Sequence, residues 1–175
     1  MILRYVILAL LLTIAAISDI RTYRVHNLTV ALGLAAGLAL NLAGGGLEGL
    51  AWSLLAAIIP AVLLFALFAL RMLGAGDIKL FCAVGSVMGV KFVLYAMAFS
   101  FLAGGVMALG IMLVRGNIKQ RLRHIATYLK TCFLTRTFMP YTDFSNKSDG
   151  GKFHFSLAIA AGCLLQILVL ASSQL

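Results

Sequence analysis

Residues 50–70, LAWSLLAAIIPAVLLFALFAL, decide the fold: 21 consecutive positions carry no charged side chain. At a rise of about 1.5 Å per residue, an α-helix of this length spans roughly the 30 Å hydrocarbon core of a bilayer. A barrel strand would alternate polar and apolar residues, and this run does not. Further apolar stretches lie at about 3–18, 28–43, 78–90, 92–114 and 154–171. Over all 175 residues, 63% are hydrophobic and 11% charged, whereas soluble domains average about half and a quarter. Too few polar residues exist to clothe a soluble core, so the surface must meet lipid. The expectation is one all-α, polytopic membrane domain over 1–175, with about six transmembrane helices.

The breaks between stretches carry the polar residues. Residues 19–27, DIRTYRVHN, are polar and basic; Gly44, Gly45 and Gly46 close the second stretch; Arg71, Gly74 and Gly76 close the third. The fourth stretch has only about 13 residues, nearer a short or re-entrant span. Lys91 separates it from the fifth, so it is counted as spanning. With six spans and both termini outside, 12 of the 14 Lys and Arg residues fall on the inner side, leaving only Arg4 and Lys91 outside with Glu48. That asymmetry follows the positive-inside rule and explains the net charge of +9 without nucleic acid. The first apolar run resembles a secretory signal. That reading would send Arg21 and Arg24 outward, so the run is kept as a helix.

The largest inner loop is about 115–152. Ile118, Leu122, Ile125 and Leu129 recur there at helical spacing beside Lys119, Arg121, Arg123 and Lys130, the pattern of a helix lying on an anionic membrane surface. Asp143 to Gly150 reads as a solvated connection without calcium-loop spacing. Cys82, Cys132 and Cys163 are far apart and form no CxxC pair, so neither a zinc site nor a disulfide framework is expected.

Of five acidic residues, two sit where a helix meets the inner face: Asp19 closes the first helix and Asp77 opens the fourth. Ionisable groups at membrane depth are costly, and those that are kept are paired or functional. The charge pattern sets both at one depth on one side, as a carboxylate dyad requires. Two neighbouring carboxyls do not both ionise easily, so one keeps its proton while the other activates water. The competing reading pairs them with Arg21, Arg24 or Lys79 as interfacial charges. Gly74 and Gly76 favour the dyad, since they permit a tight turn and close approach of a substrate strand.

Gly74-Ala75-Gly76-Asp77-Ile78-Lys79-Leu80 resembles the GxGDxKL motif of type IV prepilin peptidases, membrane aspartic proteases of the GxGD class. Ser18-Asp19-Ile20-Arg21-Thr22-Tyr23-Arg24-Val25-His26-Asn27 resembles that family's other motif, an aspartate before a basic stretch ending in Ile-Pro-Asn. His26 stands where the family usually has proline, a change expected to loosen the loop. Only 18 residues precede Asp19, so the chain looks like the short, peptidase-only form of tight-adherence (Flp) pilus systems, and methyl transfer is not expected.

The resemblance implies hydrolysis of prepilin-like precursors at the cytoplasmic boundary of the bacterial inner membrane. It calls for no metal or cofactor. Asp19 and Asp77 are the implied catalytic pair. Helix-end dipoles assign Asp77, at an N-terminus, as the base and Asp19, at a C-terminus, as the acid. Arg21, Arg24 and Asn27 are candidates to orient the dyad loop or the leader. Lys79, two residues from Asp77, is expected on another side of its helix. Gly33, Gly37, Gly104 and Gly105 are expected at close helix contacts. The alternative is a small transporter or proton channel that uses the same aspartates as relay groups.

Overall fold

A computed structural model describes residues 2–22, 24–70, 72–114 and 155–172. The readings at 115–152, the surface helix among them, lie outside the described residues. The described chain forms five α-helices: α1 (Ile2–Thr22), α2 (Asn27–Ala69), α3 (Ala75–Met88), α4 (Val90–Val114) and α5 (Phe155–Ser172). Four of these, all but α3, are long and apolar enough to cross a membrane. Large apolar side chains stand exposed along them, Leu10 and Ile14 on α1, Val62 and Phe65 on α2, Val106 on α4 and Leu168 on α5 among them. Those surfaces fit lipid tails. The protein is an all-α membrane protein.

The apolar stretches 28–43 and 50–70 are both contained in α2, whose 43 residues would reach about 65 Å if straight, twice a bilayer core. It is not straight. Gly46 breaks it with φ 58° and ψ −145°, a conformation that a side chain would strain. A β-carbon placed on Gly49 would overlap the carbonyl of Asn41, eight positions back, so the two arms fold against each other. The break belongs to Gly46 alone; Gly44 and Gly45, expected to end the helix with it, remain helical.

Helix α3 is short and enclosed. Leu80, Phe81, Ala83, Val84 and Val87 are all fully buried, and the helix packs against α1, α2, α4 and α5. Pro60 in the second arm of α2 has no N–H for the Ala56 carbonyl. Gly85 of α3 fills that gap: a β-carbon there would collide with the Ala56 oxygen. Gly37 of the first arm sits equally close to Ser86 and Val87, as expected for a close helix contact, and so does Gly33 against Leu11.

The C-terminal end of α3 is tied off. Its Ser86 carbonyl has no partner along the helix and accepts from Asn41 Nδ2 and Ser53 Oγ, both at 2.8 Å. Asn41 Oδ1 in turn accepts from Arg4 at 2.8 Å. Gly89, at φ 92°, caps the helix with its N–H on the Gly85 carbonyl and turns the chain into α4.

Candidate active site

Asp19 occupies the last turn of α1 and is 8% exposed. The chain beyond it is stitched back onto the helix end. Ser18 Oγ donates to the Arg24 carbonyl at 2.7 Å and pairs with His26 Nδ1. Thr22 Oγ1 donates to the Ser18 carbonyl at 2.8 Å. The single hydroxyl hydrogen of Ser18 is committed to Arg24, so the proton in the Ser18–His26 bond belongs to Nδ1. The expected loosening at His26 does not occur. Its φ of −67° is the value proline would impose, and its ring adds a hydrogen bond that proline lacks.

Asp77 is the third residue of α3, whose N-cap is Gly74. Its amide bonds to the Gly74 carbonyl at 3.2 Å, and its carboxylate turns back to the Gly74 backbone, half of a capping box. Gly74 has ordinary extended angles, φ −74° and ψ 144°, so the turn itself does not require glycine. Space does: a β-carbon there would lie 3.0 Å from Asp77 Oδ2. Gly76 is less constrained, its β-carbon reaching only ordinary contact with Val25 at 3.4 Å.

Both aspartates line one cavity of about 940 Å³, within the usual range of ligand sites. Asp77 precedes the apolar run of its helix and lies outside the four helices long and apolar enough to cross a membrane. Its pKa is raised from 3.8 to about 6, first by burial and then by the charge of Asp19, against a smaller lowering by the Gly74 backbone. The dipole argument from sequence had Asp77 as the readier to ionise. Desolvation and the neighbouring carboxylate outweigh the helix end, so Asp77 is a group that keeps its proton up to about pH 6.

Arg24, Asn27, Gly74, Gly76 and Lys79 line the same cavity. Lys79 Nζ donates to Asn27 Oδ1 at 3.0 Å and so joins the two sequence motifs. Arg21 is exposed and does not line the cavity. Leu67, Phe101, Gly104, Gly105, Ala108 and Phe155 form an apolar wall. Gly104 meets the Phe155 ring closely, as a helix-contact glycine should, whereas Gly105 faces open space.

Sequence reasoning missed Ser156. It is 1% exposed, and its hydroxyl donates to Asp19 Oδ2 at 2.6 Å across 137 residues of chain. A serine inside an apolar stretch gives no signal of such a role. Among the described residues, no group of three or more His, Cys, Asp or Glu side chains converges to hold a metal ion.

The profile of the type IV leader peptidase family matches residues 6–109. That stretch exceeds half of the chain and contains Asp19, Asp77 and the motifs around both, and α5 lies beyond it. Searches of curated proteins and of solved structures return no match. The chain belongs to the type IV leader peptidase family and is a protease of that kind.

Proposed function

We propose that this member of the type IV leader peptidase family is a membrane aspartic endopeptidase that removes the leader of prepilin-like precursors. Cleavage would take place at the cytoplasmic boundary of the bacterial inner membrane. The observation that carries the reading is the convergence of Asp19 and Asp77, from α1 and α3, on one cavity with a polar rim and an apolar wall. A leader followed by an apolar helix has the same polarity along its length. The scissile bond of such a substrate meets the carboxylates where its helix leaves the rim.

In this mechanism the Asp19 carboxylate takes a proton from water as the water oxygen bonds to the scissile carbonyl carbon. Asp77 donates its proton to the carbonyl oxygen. The tetrahedral diol then collapses: the C–N bond breaks, the proton held by Asp19 passes to the amine nitrogen, and Asp77 recovers its own. The pair titrates as a unit, and the raised pKa of Asp77 supports giving it the shared proton. This reverses the roles drawn from helix dipoles alone.

A basic rim does not attract a basic leader. Arg21 and Arg24 therefore suit anionic headgroups, and Lys79 with Asn27 clasps the dyad loop to α3. The topology that goes with this function has six crossings with both termini outside, the arms of α2 counted separately and α3 as the short one. It is supported by the charge asymmetry and by the fold-back at Gly46. Co-expression with pilin-like precursors, read as leader removal by mass spectrometry of the product N-terminus, tests the reading. Wild type should cleave, while Asp19→Asn and Asp77→Asn should not; substantial cleavage by either variant would refute the dyad. Ion flux in proteoliposomes without proteolysis would favour the transporter alternative.

A further inference from the structure

Helix α5 begins at the catalytic cavity. Phe155 lines the cavity wall, meets Phe81 of α3 edge-on at 6.5 Å and leans on Phe101 of α4 at 5.7 Å. These ring contacts hold the first turn of α5 in place. The next residue, Ser156, is fully enclosed, so its hydroxyl has few choices of partner. It donates to Asp19 Oδ2 at 2.6 Å.

We propose that Ser156 is a positioning residue for the dyad: its hydroxyl occupies Oδ2 of Asp19, fixes the orientation of the carboxyl group and leaves the other oxygen for the attacking water. The inference rests on the protease reading of the same cavity. Among the described residues, the other charged groups that line the cavity are Asp77 and Lys79 from α3 and Arg24 from the loop after α1. Arg21 lies exposed on its own helix, and His26 bonds its neighbour Ser18. The described cavity-lining residues of α4 and α5 carry no charge. Ser156 thus meets Asp19 as a neutral donor.

The test uses the full chain in proteoliposomes, with Ser156→Ala as the main variant and Ser156→Cys, nearly isosteric with a weaker donor, as the graded one. Kinetics should show kcat lower by roughly 10- to 100-fold in Ser156→Ala, as for loss of a bond to a charged group, with KM unchanged. Ser156→Cys should fall between. A loss confined to KM or to thermal stability would overturn the proposal and make Ser156 a packing residue. The infrared carboxyl bands of Asp19, assigned by difference with Asp19→Asn, report the hydrogen bond without any substrate and should shift in Ser156→Ala. If wild type cleaves no precursor, the protease reading fails, yet these bands still decide whether Ser156 holds Asp19. Wild-type cleavage with unshifted Asp19 bands in Ser156→Ala sinks the Ser156 inference alone.

Discussion

The two ends of α3 treat buried polarity in opposite ways. At the C-terminal end, Ser86, Asn41, Ser53 and Arg4 form a chain of neutral and charge-assisted hydrogen bonds between 2.8 Å partners, and a carbonyl orphaned by the helix end accepts twice. At the N-terminal end, the half-buried Asp77 faces the charge of Asp19 and is bonded to the Gly74 backbone. The first arrangement lowers the energy of the fold. The second raises it, and the raised pKa of Asp77 measures that cost. Strain of this kind persists where chemistry uses it.

Replacing groups at each end should therefore give opposite results. The largest effect is expected for Asp77→Asn. Loss of a proton-transfer group lowers the cleavage rate by about 10²- to 10⁴-fold, and the same change should raise thermal stability. The sign follows from linkage: a carboxyl whose folded pKa of about 6 exceeds its unfolded 3.8 favours folding less as pH rises from about 4 to 6. The stability gain of Asp77→Asn should accordingly be largest above pH 6 and vanish below 4. A variant less stable than wild type at pH 8 would break the comparison.

Gly74→Ala comes next. A methyl 3.0 Å from Asp77 Oδ2 must displace the carboxylate by a few tenths of an ångström. An effect of roughly tenfold on kcat is expected, with Gly76→Ala milder because its methyl would meet only Val25 at ordinary distance. At the other end, Asn41→Leu should cost about 1–3 kcal/mol of stability by stripping Arg4 and one donor from Ser86, and leave kcat unaltered. Thermal unfolding paired with a cleavage assay separates the two outcomes. The pH profile sharpens the contrast further. Asp77 as the acid predicts cleavage that falls as pH rises through about 6, whereas the stability lost in Asn41→Leu relative to wild type should stay constant across that range. The smallest effect is expected for Lys79→Met, which removes an exposed bond to Asn27. Its activity should fall no more than a few-fold, as exposed polar contacts contribute little.

Much of the fold was legible because lipid imposes length and polarity on every crossing segment. The runs of apolar residues marked α1, α3, α4 and α5 within a few positions and divided α2 into two. What was not legible was how the segments meet. Gly44, Gly45 and Gly46 are identical in sequence terms, and only the packing of the two α2 arms selects Gly46 as the break. The shortness of the 78–90 run suggested a short or re-entrant span, counted as spanning; the structure buries its middle, Leu80, Phe81 and Ala83 to Val87, among four helices.

The site divides along the same line. Asp19 and Asp77 announce themselves locally, because carboxylates at membrane depth are rare and each lies in a recognisable motif. Their protonation does not, since it depends on desolvation and on the other carboxylate, neither of which exists until the helices pack. His26 was read as a lost proline, yet its ring bond to Ser18 and its backbone angles restore what the substitution removes. Ser156 carried no local sign at all. Sequence alone determined that this chain is a bundle of lipid-facing helices with an acid at each of two helix ends, because hydrophobic length and charge placement are properties of single segments. Only tertiary structure brought both acids to one cavity, raised the pKa of Asp77 and set Ser156 against Asp19, because each depends on groups brought together from distant parts of the chain.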